Sequence, residues 1–206
     1  MKTISRLMLV GLVTLFSVNQ AFAASHESIA SIKNLKPYYI KKDVNFGVYN
    51  KIFLEALQVN YARVIAPPWY EGDDKNPKKW SLTDKDDDFL RKSYRAAMIE
   101  ALQAGGYTTV EEIDDNDVLS LTMKIVSLMP YARKGENVQV RGFGEMTVQA
   151  TLRDGRTGEL LAIFEGPQDV GSEYQQNTRL NAENSLKELF DIWGQRMRMV
   201  MDDSRQ

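Results

Sequence analysis

The stretch Val138-Gln-Val-Arg-Gly-Phe-Gly-Glu-Met-Thr-Val-Gln-Ala-Thr-Leu-Arg153 decides the fold. Val138, Val140, Gly142, Gly144, Met146, Val148, Ala150 and Leu152 all fall on even positions, and the odd positions are polar except Phe143. Side chains alternate between faces along a strand, so this pattern predicts a strand with one buried face. At about 3.3 Å per residue the whole stretch would run to roughly 50 Å. A compact domain does not hold that length straight, and a bend or bulge is expected at Gly142/Gly144. Asp154-Gly155-Arg156-Thr157-Gly158 reads as a hairpin turn, with Leu160–Phe164 as the returning strand.

The same logic extends outward. Val118–Met129 carries Leu119, Leu121, Met123, Ile125 and Met129 on one side, and Tyr107–Ile113 forms a short strand before the Asp114–Asp117 turn. Upstream, Thr83 is a good N-cap, with Asp84, Asp86, Asp87 and Asp88 in the first turn, where a helix dipole favours negative charge. Leu90, Tyr94, Ala97, Met98, Ala101 and Leu102 follow with helical spacing, and Gly105-Gly106 ends the helix. Lys51–Ile65 is apolar and β-branched and reads as one strand, stopped by Pro67-Pro68. After a loop from Gly166 to Leu180, a last helix spans about 181–201, its stripe of Leu186, Leu189, Phe190, Trp193, Met197, Val200 and Met201 facing the core. Trp193, in mid-stripe, is expected to be buried against the sheet. The predicted fold is α+β, a two-layer sandwich of an antiparallel sheet of about four to five strands with two helices, in the order β-α-β-β-β-β-α.

Composition removes several functions. The 206 residues carry 26 Lys+Arg against 28 Asp+Glu, a net charge of −2, which argues against a nucleic-acid partner. With no Cys there are no disulfides, thiol nucleophiles or Cys-held metals, and the single His, His26, lies near the N-terminus. No cofactor and no metal is implied. Lys2 and Arg6 precede an apolar run from Leu7 to Val18 that ends at Ala21-Phe22-Ala23. Residues 1–23 therefore read as a signal peptide cleaved after Ala23, since crossing a membrane takes about 20 apolar residues. Residues 24–48, polar and without period, read as an arm or linker, and 49–206 as a single domain. The expected location is the periplasm, with no span left in the membrane after cleavage.

Each motif that resembles chemistry has a structural reading beside it. Gly142-Phe143-Gly144 lies inside a strand, not between a strand and a helix as a phosphate cradle would. Asp84–Asp88 lacks the Gly and Glu at the sixth and twelfth positions of a calcium loop, which here are Phe89 and Arg95. Glu145, Glu159 and Glu165 share a hairpin, but a glycosidase pair needs two carboxyls about 5–9 Å apart across a cleft. The best candidate is the polar, Pro-rich loop from Ala66 to Leu82, with Trp69, Tyr70 and Trp80. Loop aromatics serve as anchors for partners. The alternative is that they cover a thinly protected sheet face.

Tyr49-Asn50-Lys51-Ile52-Phe53-Leu54 followed by Val59-Asn60-Tyr61, the helix ending at Gly105-Gly106-Tyr107, Asp117-Val118-Leu119-Ser120-Leu121, Thr157-Gly158-Glu159-Leu160-Leu161-Ala162 and the closing helix with Trp193 occur in that order. Over about residues 47–202 the chain resembles a bacterial envelope family classed as a domain of unknown function, serial three-three-one-three. The resemblance implies an α+β domain in the envelope, without enzymatic activity or catalytic residues. Many members are lipoproteins. This chain lacks the Cys that would be acylated, so membrane anchoring does not carry over. Three readings follow: an accessory module working through contacts with an envelope protein, a small-ligand or lipid carrier with a groove between helices and sheet, and, least supported, a carboxylate-based hydrolase. A large apolar cavity would favour the second.

Overall fold

The alternating stretch forms β7 (Gly144–Asp154), with Met146, Val148, Ala150 and Leu152 buried. It lies between β5 (Val118–Pro130) and β8 (Leu160–Val170), antiparallel to both. Register places Leu121 opposite Leu152, Met123 opposite Ala150 and Ile125 opposite Val148, and Phe164 opposite Ala150. These pairs make the inner face of the meander, and cross-strand pairs of this kind are the unit of sheet stability. The computed structural model describes residues 36–60, 62–70 and 82–203. The signal peptide expected over 1–23 lies outside them.

The bend falls where the glycines predict it. Gly142 has φ +71°, and a Cβ there would stand 2.4 Å from the Gly171 carbonyl oxygen, so only glycine fits. The residues before it, β6 (Gln139–Arg141), leave the main sheet and pair with β9 (Tyr174–Gln176) as a separate two-stranded ribbon.

The sheet itself differs from expectation. It has seven strands and is mixed, not an antiparallel sheet of four or five. The added strands come from three places. Lys51–Ile65 is not one strand but β2 (Lys51–Leu54) and β3 (Arg63–Val64), both parallel to β5, with Gln58 bridging to Lys124 between them. Between the Lys51–Val118 and Arg63–Ser127 pairs the upstream chain is three residues longer than β5, and the excess breaks the ladder. β4 (Thr108–Val110) is parallel to β2 on its other side. Parallel pairing needs a long crossover, which the helix between β3 and β4 supplies. Finally, 24–48 is not wholly an arm: β1 (Lys36–Ile40) is an edge strand antiparallel to β8, and a 3-10 turn over Phe46–Val48 buries Phe46.

Both helices cover one face. In α1 (Asp84–Ala104) the predicted stripe from Leu90 to Leu102 is buried. The Thr83 N–H and hydroxyl both donate to Asp86 Oδ2, at 2.7 and 2.6 Å. At the other end Gly106, with φ +80°, donates to the Gln103 carbonyl and Tyr107 N–H to that of Leu102, a Schellman closure. In α2 (Arg179–Asp203) Trp193 is 2% exposed, as its place in the stripe predicts. It meets Phe190 edge-on at 5.1 Å, and Phe190 meets Tyr94 of α1 at 6.0 Å. The helices run parallel: Gly194 lies against Ala97 and Ala101, Arg198 against Gly105, and the Tyr107 hydroxyl donates to Asp202 Oδ1 at 2.8 Å.

A Cβ on Gly194 would come 2.6 Å from that of Ala101 and 3.1 Å from the Ala97 carbonyl oxygen. Glycine inside a helix costs about 1 kcal/mol against alanine, so close packing is what this position serves. Gly194→Leu is expected to lower stability by about 1–3 kcal/mol through overpacking, seen as a fall of several degrees in Tm. An unchanged melt would show that the helices do not touch there.

Candidate functional site

At the N-terminal ends of both helices the packing opens. The first turns of α1 and α2 stand over the far end of the sheet, where β5 finishes, β7 begins and β8 finishes, and a groove of about 390 Å³ remains between them. Its apolar lining comes from five segments: Leu82, Phe89 and Leu90 at α1, Leu128 on β5, Phe143 and Met146 around the Gly142 bend, Val170 on β8, and Ala182 and Leu186 on α2. The bend is what aims Phe143, the one apolar odd position of its stretch, into this space. One lip is the β5–β6 loop, through Ala132, Lys134 and Gly135.

Charge is confined to the mouth. Lys134 of the lip donates to Asp86 Oδ2 on α1, and Arg179 Nε to Glu183 Oε1 one turn along α2, at 2.6 Å. Burial pushes the Asp86 carboxyl up, but the bonds from Lys134 and Thr83 outweigh it and hold the group below the usual range. The Glu183 carboxylate raises Arg179 further above an already high value.

The loop aromatics lie just outside this lip. Trp69 meets Tyr131 edge-on at 5.1 Å and stays 57% exposed. Tyr70 is half-buried beneath Arg133, whose guanidinium carbon is 4.6 Å from the ring centroid. Both pack on the β5–β6 loop. Trp80 lies outside the described residues. Of the hairpin carboxylates, Glu159 pairs with Lys41 at 2.7 Å at the turn end, Glu165 accepts from Gln149 at 2.6 Å, and Glu145 stands opposite Asp169 near the other end. They are spread along the hairpin and do not flank a common cleft. Among the described residues no three of His, Asp and Glu gather closely enough to hold a metal, and no helix is long and apolar enough to cross a membrane.

The sequence offers a groove between helices and sheet only as an alternative reading and names none of the residues that line it. Its lining is drawn from elements whose approach depends on tertiary packing, and only Phe143 and Phe89, each apolar at a position the local stripe leaves polar, carry a signal.

The architecture places the chain among α+β domains with two helices on one face of a mixed sheet. Residues 31–197 match the family described as Protein of unknown function (DUF3313), and the chain belongs to that family, the one its motifs resemble. No curated protein matches it. Among solved structures it is similar to a Xanthomonas campestris protein labelled DUF330, at 11% identity over 76% of this chain and 88% of that one, TM-score 0.45. A PelC dodecamer from Paraburkholderia phytofirmans is similar at 10% identity over 80% and 97%, TM-score 0.37. A minor lipoprotein from Acinetobacter baumannii is similar at 14% identity over 76% and 93%, TM-score 0.34. At that level neither oligomeric state nor partner passes from those proteins to this chain.

Proposed function

We propose that this protein is a non-catalytic binding module of the cell envelope whose ligand places an apolar group in the groove between helices and sheet. The observation that carries this reading is the groove: about 390 Å³, apolar along its walls and charged only at its mouth. Small-molecule sites occupy roughly 300–1,000 Å³ and combine apolar walls with a few polar groups, which this one matches. A hydrolase reading has no comparable support, because the hairpin carboxylates are dispersed.

N-phenyl-1-naphthylamine, a neutral dye that brightens in apolar surroundings, tests the groove. The wild-type chain is expected to enhance its emission. Ala182→Trp, which fills the space from α2, is expected to abolish most of that enhancement while leaving Tm unchanged or raised. Equal enhancement by both proteins would place the dye elsewhere and remove the reading.

Export rests on the Lys2–Ala23 segment. Expression in a bacterial host followed by osmotic shock should release a chain whose N-terminal residue is Ala24. Recovery of the chain with Met1 intact in the inner-membrane fraction would contradict it.

A second reading, contact with an envelope protein through Trp69, Tyr70 and Trp80, is favoured by the exposed ring of Trp69 held against Tyr131. Trp69→Ala should then reduce recovery of a partner from envelope extract by about 2 kcal/mol in affinity. Its melt should stay within about 0.5 kcal/mol of wild type, as for other surface changes. A destabilised variant with undiminished binding would make Trp69 a packing residue.

A further inference from the structure

Of the two ion pairs at the mouth of the groove, one is local and one is not. Arg179 and Glu183 lie a turn apart on α2, whereas Lys134 and Asp86 are 48 positions apart and join the lip to the first turn of α1. The two pairs cancel in sign, so neither is placed to choose a charged ligand. What the Lys134 pair does, and the other does not, is reach from one wall of the mouth to another.

The lip, residues 131–138, is fixed everywhere except at its tip. Asn177, two residues before α2, holds its inner side. The Asn177 N–H donates to the Val138 carbonyl at 2.9 Å, and the side-chain amide donates to the carbonyls of Arg133 at 2.8 Å and Glu136 at 2.9 Å. From outside, Tyr131 meets Trp69 and Arg133 lies over Tyr70. Between the pinned carbonyls of Arg133 and Glu136 stand only Lys134 and Gly135, and Gly135, with φ +74°, makes the turn. Both line the groove. The base of the lip is thus held by neutral bonds and ring contacts, which salt does not screen. The reach from its tip to α1 is the Lys134–Asp86 pair, with the Lys134 side chain 54% exposed. Exposed ion pairs are weak and are screened by salt.

We propose that Lys134 is a side-chain gate to the groove: a bar laid from a fixed lip to Asp86, whose release lets the apolar group in and out. This rests on the groove reading above and adds to it how the site is entered. The lip need not move, because the ammonium can leave Asp86 for water and carry the side chain clear of the mouth. A gate of this kind changes entry and release by the same factor and leaves affinity alone, since it stands in the path and not in the bound state.

The test is stopped-flow mixing of the chain with N-phenyl-1-naphthylamine, whose neutrality keeps salt from acting on it through charge. Lys134→Gln is expected to speed entry and release together by about two- to fivefold, the weight of an exposed ion pair, with affinity and Tm unchanged. Lys134→Arg, which keeps the pair, is expected to keep wild-type rates. Salt at about 1 M, where the Debye length is about 3 Å, is expected to close the gap between wild type and Lys134→Gln. Should Lys134→Gln lower Tm, the salt series on wild type decides, because both of its rates must rise by one factor. Equal rates in wild type and Lys134→Gln, a change confined to release, or a gap that persists in high salt overturns the gate. The groove reading survives those results as long as Ala182→Trp still abolishes the dye emission. If wild type does not enhance the dye at all, the groove reading falls and the gate with it.

Discussion

Where α2 meets α1, a side chain of any size at Gly194 would collide with Ala97 and Ala101, so the two helices pack closely there. That contact pins the C-terminal halves together over the core of Tyr94, Phe190 and Trp193. Beyond it the helices continue toward their N-termini over a sheet that twists beneath them. Larger residues, Phe89 and Leu90 on one helix and Leu186 on the other, replace the small ones, and the layers part. The groove is thus the counterpart of a tight contact two to three turns away. A smaller residue at the crossing and larger ones at the opening set where the space lies and how wide it is.

How far the sequence predicts this depends on whether a signal is local. The period-two run of Val138–Arg153, the hairpin glycines and the capped helix from Thr83 to Gly106 are local, and the bend, the turn and the helix appear where the pattern places them, although Gln139–Arg141 pairs in a separate ribbon. Lys51–Ile65 deceives because its residues favour strand throughout, while three surplus residues break the ladder against β5. β1 escapes notice because Lys36–Ile40 turns Tyr38 and Ile40 to the surface, at 80% and 49% exposure, and contains Pro37, so neither burial nor alternation marks it. The antiparallel expectation fails for a related reason: the strongest strands form a meander, and nothing in the short β2 and β4 tells that α1 carries the chain back in the same direction. For the site, aromatic residues in a loop are conspicuous in a sequence, whereas a groove assembled from five segments is not. Trp69 and Tyr70 border the lip of that groove without lining it.

Polar contacts hold the periphery to this frame. The buried Tyr49 hydroxyl donates to Asp154 Oδ2 at 2.9 Å, and Asp154 Oδ1 accepts from Thr157 N–H and Oγ1 at 2.7 and 2.8 Å. Those bonds hold the Asp154 carboxyl below its usual range, the Thr157 N–H first among them, while burial pushes the Tyr49 phenol up. One carboxylate therefore closes the hairpin turn and ties it to the segment entering β2. Lys51, two residues on, donates to Asp115 across the neighbouring turn.

The edge strand β1 has a kinetic meaning. The ion pair that finishes its register, Lys41 to Glu159, joins residues 118 positions apart. Closing so long a loop before any contact rewards it is slow, and folding rates fall as contacts become less local. The meander of β5, β7 and β8, whose strands lie far closer to one another in sequence than β1 does to β8, can assemble first, and β1 can dock only after β8 is in place. Until it does, the open side of β8 is an unpaired row of backbone donors and acceptors, the kind of edge on which another chain can add a strand.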